Sequence, residues 1–200
     1  MTFSPRQLAA LVVATSFAAG LNLYATVATL GLLARDDLIT LPPSLSLVTN
    51  WWIIGASIAL YLIEFVADKI PAVDLVWNAL QTFVRVPVAA LIAYGATMQL
   101  SLGEQILATT VGGFVALAAH SGKTAARVAV TPSPEPFSNI ALSLGEDAVA
   151  VFITWLASRH PFWAAAIAAT FIVIIVALAR AVVRALRAVF RGAERQLTSA

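Results

Sequence analysis

The chain has 200 residues, 60% of them apolar and only 11% charged, with mean hydropathy +0.91. A soluble domain carries about 45–50% apolar and about 25% charged residues, so this chain has too little polar surface to face water and belongs in a membrane. A net charge of +2 gives no footprint for nucleic acid, and the lack of cysteine excludes disulfides, Fe–S clusters, thiolate metal sites and a cysteine nucleophile.

A helix needs about 20 predominantly apolar residues to cross a hydrocarbon core of about 30 Å. Six such runs follow one another, over residues 7–33, 47–67, 86–102, 104–119, 140–158 and 162–179. The first is too long for a signal-peptide core and no cleavage site follows it, so it reads as a retained span. In the fourth, Gly112 and Gly113 thin the helix and permit close packing. Residues 1–179 therefore form one all-α transmembrane bundle. In residues 180–200, Arg180, Arg184, Arg187, Arg191 and Arg195 recur every three or four positions, opposite Val182, Val183, Leu186, Val189 and Phe190. That pattern is a basic amphipathic helix suited to an anionic lipid surface.

Basic residues set the orientation. A cytoplasmic N-terminus places Arg6, Lys69, Arg85, Lys123, Arg127 and the five tail arginines inside, leaving only Arg35 and Arg159 outside. Trp51, Trp52, Trp155 and Trp163 then share the outer interface, as an aromatic belt should. The expected location is a bacterial inner membrane, with both termini cytoplasmic.

A charge at the bilayer centre costs about 2.5–3.5 kcal/mol on insertion scales, so intramembrane polar residues are the candidates for function. Glu64 and Asp68 lie four apart on one helix face at the end of the second span, a spacing that can hold a cation or pass a proton, with Lys69 adjacent. After Pro71, the residues Asp74, Asn78, Gln81, Thr82 and Arg85 make one polar stripe, closed by Pro87. So short a segment predicts a re-entrant or interfacial helix. His120, Lys123 and Arg127 share another face. Downstream, Ser138 and Asn139 follow two prolines, where a helix start beside Lys123 and Arg127 would suit an anion. A second stripe follows, through Asn139, Ser143, Glu146 and Asp147. The two stripes superpose at an offset of 65 residues, which suggests an internal repeat over about 64–87 and 129–152, with the site between the copies. Asn22, beside Gly20 in the first span, is either a packing or a lining residue. His120 and His160 fall on opposite membrane sides, which argues against a histidine metal site. Nothing resembles Gly-x-Ser-x-Gly, His-Glu-x-x-His or a Walker loop, so no enzyme chemistry and no cofactor is expected.

The segments Gly20-Leu-Asn22-Leu-Tyr24, Asp68-Lys69-Ile-Pro71-Ala-Val-Asp74-Leu-Val-Trp77, Ser133-Pro-Glu135-Pro-Phe-Ser138-Asn139 and Glu146-Asp147 resemble the bacterial membrane family catalogued as domain of unknown function 4126. The resemblance covers roughly residues 8 to 160 and implies an integral membrane protein with no assigned substrate. A fainter likeness, to cation exchangers with paired Glu-x-Gly-Asp motifs, lacks the glycine and has a spacing of four instead of three.

These features together predict about six spans with two proline-bounded re-entrant or interfacial helices. The leading function is a small transporter or channel-like permease, with proton-linked cation movement through Glu64, Asp68, Asp74, Glu146 and Asp147, and with Asn22, Asn78 and Asn139 along the path. An anionic-lipid or phosphate translocase using Lys69, Arg85, Lys123, Arg127 and Ser138 is the alternative, and a non-transporting scaffold with mutually paired charges is a third. The expected partners are membrane lipids and a small ion or solute, with a homodimer open to so small a bundle.

Overall fold

The computed structural model describes residues 3–130 and 136–198, with the side chains of residues 71, 72, 75, 130, 136, 138, 139, 185, 186 and 188–198 outside that description. The described residues are helical, with no strand among them. The order is α1 (Pro5–Leu21), α2 (Leu23–Arg35), a 3₁₀ helix (Pro43–Thr49), α3 (Trp51–Ala67), α4 (Pro71–Ala96), α5 (Leu102–Val130), α6 (Pro136–Arg159) and α7 (Pro161–Thr198).

Local sequence sets most helix ends. Ser4 and Gln7 form a reciprocal capping box at α1. The Asn50 side chain caps α3 by accepting from the Trp52 amide at 2.8 Å, and Ser101 caps α5 with Glu104. Prolines open α1, α4, α6 and α7, where a missing N–H leaves no helical bond unmade.

Helix α1 is the centre of the bundle: twelve of its seventeen residues are buried. Small residues make this possible, because helix association in lipid depends on close backbone approach. Gly20 lies against the Ala116 backbone and Ala119, and Gly112 of α5 faces Ser16 of α1 and Ala93 of α4.

Asn22 breaks the first apolar run. Its backbone is extended, at φ −147° and ψ 104°, and the chain turns back on itself there. Pro5, Ala9 and Val13 share a groove with Thr97, Leu100 and Glu104, so α1 begins at the end of the bundle that carries the 97–101 turn. Its other end reaches Lys123, deep along α5. Helix α2 then returns: Gly31 packs on Val48 and Ile54, and Arg35 donates to the Thr49 carbonyl at 3.0 Å and lies over Trp51. Leu45 of the same 3₁₀ helix packs on Gly95, next to the 97–101 turn. Residues 5–35 are therefore a helical hairpin entering and leaving at one end, with Asn22 at its tip.

This corrects the expected architecture. Among the described residues, four helices are long and apolar enough to cross a membrane: Val76–Ala96, Leu102–Ala129, Ile140–Arg159 and Pro161–Arg184. A fifth crossing results if Pro43–Thr49 and Trp51–Ala67, bent by 62°, count as one. The expected span over 7–33 is the hairpin instead. The expected re-entrant segments after Pro71 and Pro136 are the opening turns of the continuous helices α4 and α6. Pro87 sits inside α4 without ending it, since neighbouring helices can satisfy backbone groups that a proline frees in a membrane helix. The basic tail continues α7 without a break.

A Cβ at Gly20 would stand 2.7 Å from the Ala119 Cβ and against Ala116 backbone, which cannot swing aside. Gly20→Ala should lower stability by about 1–3 kcal/mol through overpacking. Gly55→Ala, where a Cβ meets open space, should instead gain up to about 1 kcal/mol from helix propensity. Thermal unfolding of the purified protein in detergent compares the two. An unchanged midpoint for Gly20→Ala would contradict the tight α1–α5 contact.

A charged network at the tip of the re-entrant hairpin

Four helices direct polar faces at the hairpin tip. Glu64 and Asp68 end α3, Asp74, Asn78, Gln81 and Arg85 follow one stripe of α4, His120, Lys123 and Arg127 come from α5, and Ser143, Glu146 and Asp147 from α6. The spacings of three and four that suggested polar helix faces in the sequence align these side chains toward one interior.

The acids and bases are paired there. Arg85 and Glu64, both fully buried, form a direct ion pair, and Lys123 Nζ lies 3.0 Å from the same Glu64 oxygen. Lys123 also lies 3.5 Å from both Asp68 and Glu146. Arg127 joins three carboxylates, at 2.7 Å from Asp68, 3.1 Å from Asp74 and 2.6 Å from Glu146. Asn78 donates to Asp74 at 2.6 Å and the Ser143 hydroxyl to Asp68 at 3.3 Å.

The broken helix completes the network. Where α1 ends, the Leu21 carbonyl accepts from Arg85 at 2.8 Å and from Lys123 at 3.2 Å, and Gly20 accepts from Arg85 at 3.4 Å. Where α2 begins, Asn22 Oδ1 accepts from the Ala25 amide at 2.9 Å, and Asn22 Nδ2 donates to Asp147 at 2.8 Å. The cations thus sit at the negative end of one half-helix and a carboxylate at the positive end of the next, as the peptide dipoles favour. Tyr24 and Gln81 fasten α2 to α4 through hydrogen bonds of 3.0 and 3.1 Å.

His120 is held neutral by its partners. Its Nδ1 faces an Arg85 N–H at 3.4 Å and must accept, while Nε2 lies 3.0 Å from the Asn78 carbonyl and must donate. Among the described residues, five carboxylates therefore gather around the three cations Arg85, Lys123 and Arg127, with Lys69 acting on Asp147 and Asp68 from the edge. Asp147 has only neutral hydrogen-bonding partners, Asn22 and the Tyr61 hydroxyl at 3.2 Å. Among the described residues, no group of three or more His, Asp or Glu side chains could hold a metal ion.

Two grooves flank α6 and reach this network. One, of about 560 Å³, runs from Asp147 between Tyr61, Leu144, Val151, Phe152 and Trp155. The other, of about 620 Å³, has Lys123 and Glu146 among walls that include Leu21, Val149, Phe171 and Ile175.

The structure thus merges what the sequence divided. The acids expected to bind a cation and the bases expected to bind an anion belong to one network. Lys69 stands at the edge: its ammonium folds back to the Phe65 carbonyl at 2.7 Å and onto the Phe65 ring, within electrostatic reach of Asp147 and Asp68. The side chains of Ser138 and Asn139 lie outside the described residues. Tyr61 was missed, although it stands three residues before Glu64 and hence beside it on α3. Asn22 proves to be both a helix breaker and a ligand of the network.

An all-helical bundle with several membrane-crossing helices and its charges sealed inside is a multi-pass membrane protein. The family model described as Domain of unknown function (DUF4126) matches residues 9–181, and the chain belongs to that family. No curated protein and no solved structure matches it.

The two kinds of carboxylate should respond differently to neutralisation. Glu64→Gln leaves Arg85 and Lys123 without their shared counter-ion and should destabilise the fold by about 3–5 kcal/mol. Asp147→Asn should be tolerated within about 1 kcal/mol, because the new amide can still accept from Asn22 and donate to Tyr61. Detergent unfolding midpoints measure both. Equal losses would mean that Asp147 is as firmly paired as Glu64.

Proposed function

We propose that the protein is a proton-linked cation permease and not an enzyme, with the charged network at the hairpin tip as its coupling site. The observation that carries this reading is the excess, among the described residues, of buried carboxylates over the cations that pair with them, which leaves Asp147 with none at ion-pair distance. A buried net charge is too costly to leave uncompensated in low dielectric, so the site takes up protons or cations to remain neutral. A helix broken beside such a site is the arrangement by which secondary transporters expose backbone groups to an ion. Mutual pairing of the remaining charges favours the scaffold reading, but it leaves Asp147 without a cation at ion-pair distance.

In this reading the chain makes five crossings plus the hairpin, which puts its two termini on opposite faces. Lys69 and the arginines beyond residue 180 lie toward one face, with Arg6, Arg35 and Arg159 toward the other, so the positive-inside rule makes the C-terminal face cytoplasmic. The partners are membrane lipids and a small cation. With no native cysteine, single cysteines report the sides directly. An impermeant thiol reagent added to intact cells should label Arg6→Cys and Asp36→Cys but neither Lys69→Cys nor Ala129→Cys. A protected Arg6→Cys with a labelled Asp36→Cys would mean that residues 5–35 cross the membrane.

The function is tested in vesicles reconstituted with the purified chain under an imposed pH gradient. Adding the transported cation should produce proton movement that Asp147→Asn abolishes. A second reading, translocation of an anionic lipid, is favoured by the groove that holds Lys123 among apolar walls. Crossing of a fluorescent anionic lipid without a cation-dependent proton signal would replace the first reading with the second. Silence in both assays from folded protein would support the scaffold.

A further inference from the structure

The groove beside Asp147 differs from the rest of the network. Arg85, Lys123 and Arg127 each meet carboxylates at ion-pair distance, whereas Asp147, only 5% exposed, receives hydrogen bonds from Asn22 and Tyr61 and feels Lys123, Lys69, Glu64 and Asp68 only across longer gaps. It lies on the floor of a groove of about 560 Å³. The walls are aromatic and aliphatic: Tyr61, Phe152 and Trp155 with Leu144 and Val151. The Phe152 and Trp155 rings lie 6.0 Å apart, tilted by 35°, and both are about half exposed on the outer surface of the bundle. That surface includes Leu144, Val151 and other exposed apolar side chains of α6, so in a bilayer the groove opens sideways onto lipid and not onto water.

A buried carboxylate with no cation at ion-pair distance, faced by aromatic rings, selects for positive charge through both Coulomb attraction and the ring quadrupoles. Apolar walls and a lateral opening select against small hydrated ions, which would lose their water with too few oxygens to replace it. The space accommodates a drug-sized ligand. We propose that this groove binds a lipophilic monovalent organic cation, with Asp147 as its counter-ion.

The site rests on the permease reading and supplies its substrate class. Its exchange balances: the Asp147 carboxylic acid releases its proton to solvent, and the carboxylate left behind pairs with the incoming cation. One proton leaves for each cation bound, and the charge of the buried site is unchanged. Cation and proton therefore compete, and acid weakens binding.

Equilibrium binding of tetraphenylphosphonium to the purified full chain in detergent tests the site. Binding should be saturable, should release protons on mixing, and should weaken about tenfold or more on passing from mildly alkaline to mildly acidic buffer. Asp147→Asn should lose about tenfold or more in affinity, and Trp155→Ala about threefold. Asp147→Glu, which keeps the carboxylate, should keep the acid sensitivity. Leu144→Trp, which fills the groove and leaves the network untouched, should abolish binding if Asp147→Asn proves unstable. Tetraphenylborate, of the same shape and opposite charge, should show no saturable binding when titrated alone. Saturable binding of tetraphenylborate by itself, or undiminished binding by the groove-filled variant, would overturn the proposal. Absent binding alongside intact proton-linked flux of sodium or potassium would overturn this site alone. Intact binding without proton-linked flux would uphold the site and overturn the permease reading.

Discussion

The architecture turns on one constraint: three buried cations must be neutralised where a helix is broken inside an apolar bundle. Arg85, Lys123 and Arg127 together meet Glu64, Asp68, Asp74 and Glu146, and two of them also satisfy the carbonyls freed at the end of α1. In hydrocarbon an unpaired ion or an orphan carbonyl costs several kcal/mol, far more than at a surface. The hairpin tip therefore needs the cations, and the cations need the acids of α3, α4 and α6. Each element holds its neighbour in register, and α1 can occupy the centre because its small residues let α5 approach closely.

The same constraint sorts the acids by role. Glu64, fully buried between Arg85 and Lys123, joins two cations at the centre of the bundle. Asp147 faces only neutral donors and borders a groove. Access to a groove thus lies at the margin of the network and dense ion pairing at its centre. That is the distribution required of a site that must stay folded while its occupancy changes. The broken hairpin adds directional dipoles, negative toward the cations and positive toward Asp147.

The sequence made the membrane class legible through composition, and the polar stripes through helical periodicity. Every acid named as a candidate reaches the network, as do Arg85, Lys123 and Arg127. Two things misled. Prolines 71, 87 and 136 read as boundaries of short helices, yet a proline in a first turn removes no bond and one inside a membrane helix is tolerated. Asn22 read as a single polar residue in a through-span, because hydropathy averages over the window in which the chain reverses. Lys69 lay next to Asp68 in sequence and yet bonds to the Phe65 carbonyl instead of a carboxylate, since adjacent residues on a helix do not share a face.

Composition and pattern alone place this chain in a membrane, make it a helical protein, and set polar faces on specific helices. These follow from local chemistry: the length of apolar runs, the caps, and a period of three to four. Packing was needed to reveal that residues 5–35 fold back as a hairpin, that acids and bases from four helices pair with one another, and that Asp147 has no cation at ion-pair distance. Those facts depend on which faces meet across the bundle. Residues such as Asn22 and Asp147, 125 positions apart, have no sequence signal for their contact, because the Coulomb and hydrogen-bond energies that join them exist only once the helices have packed.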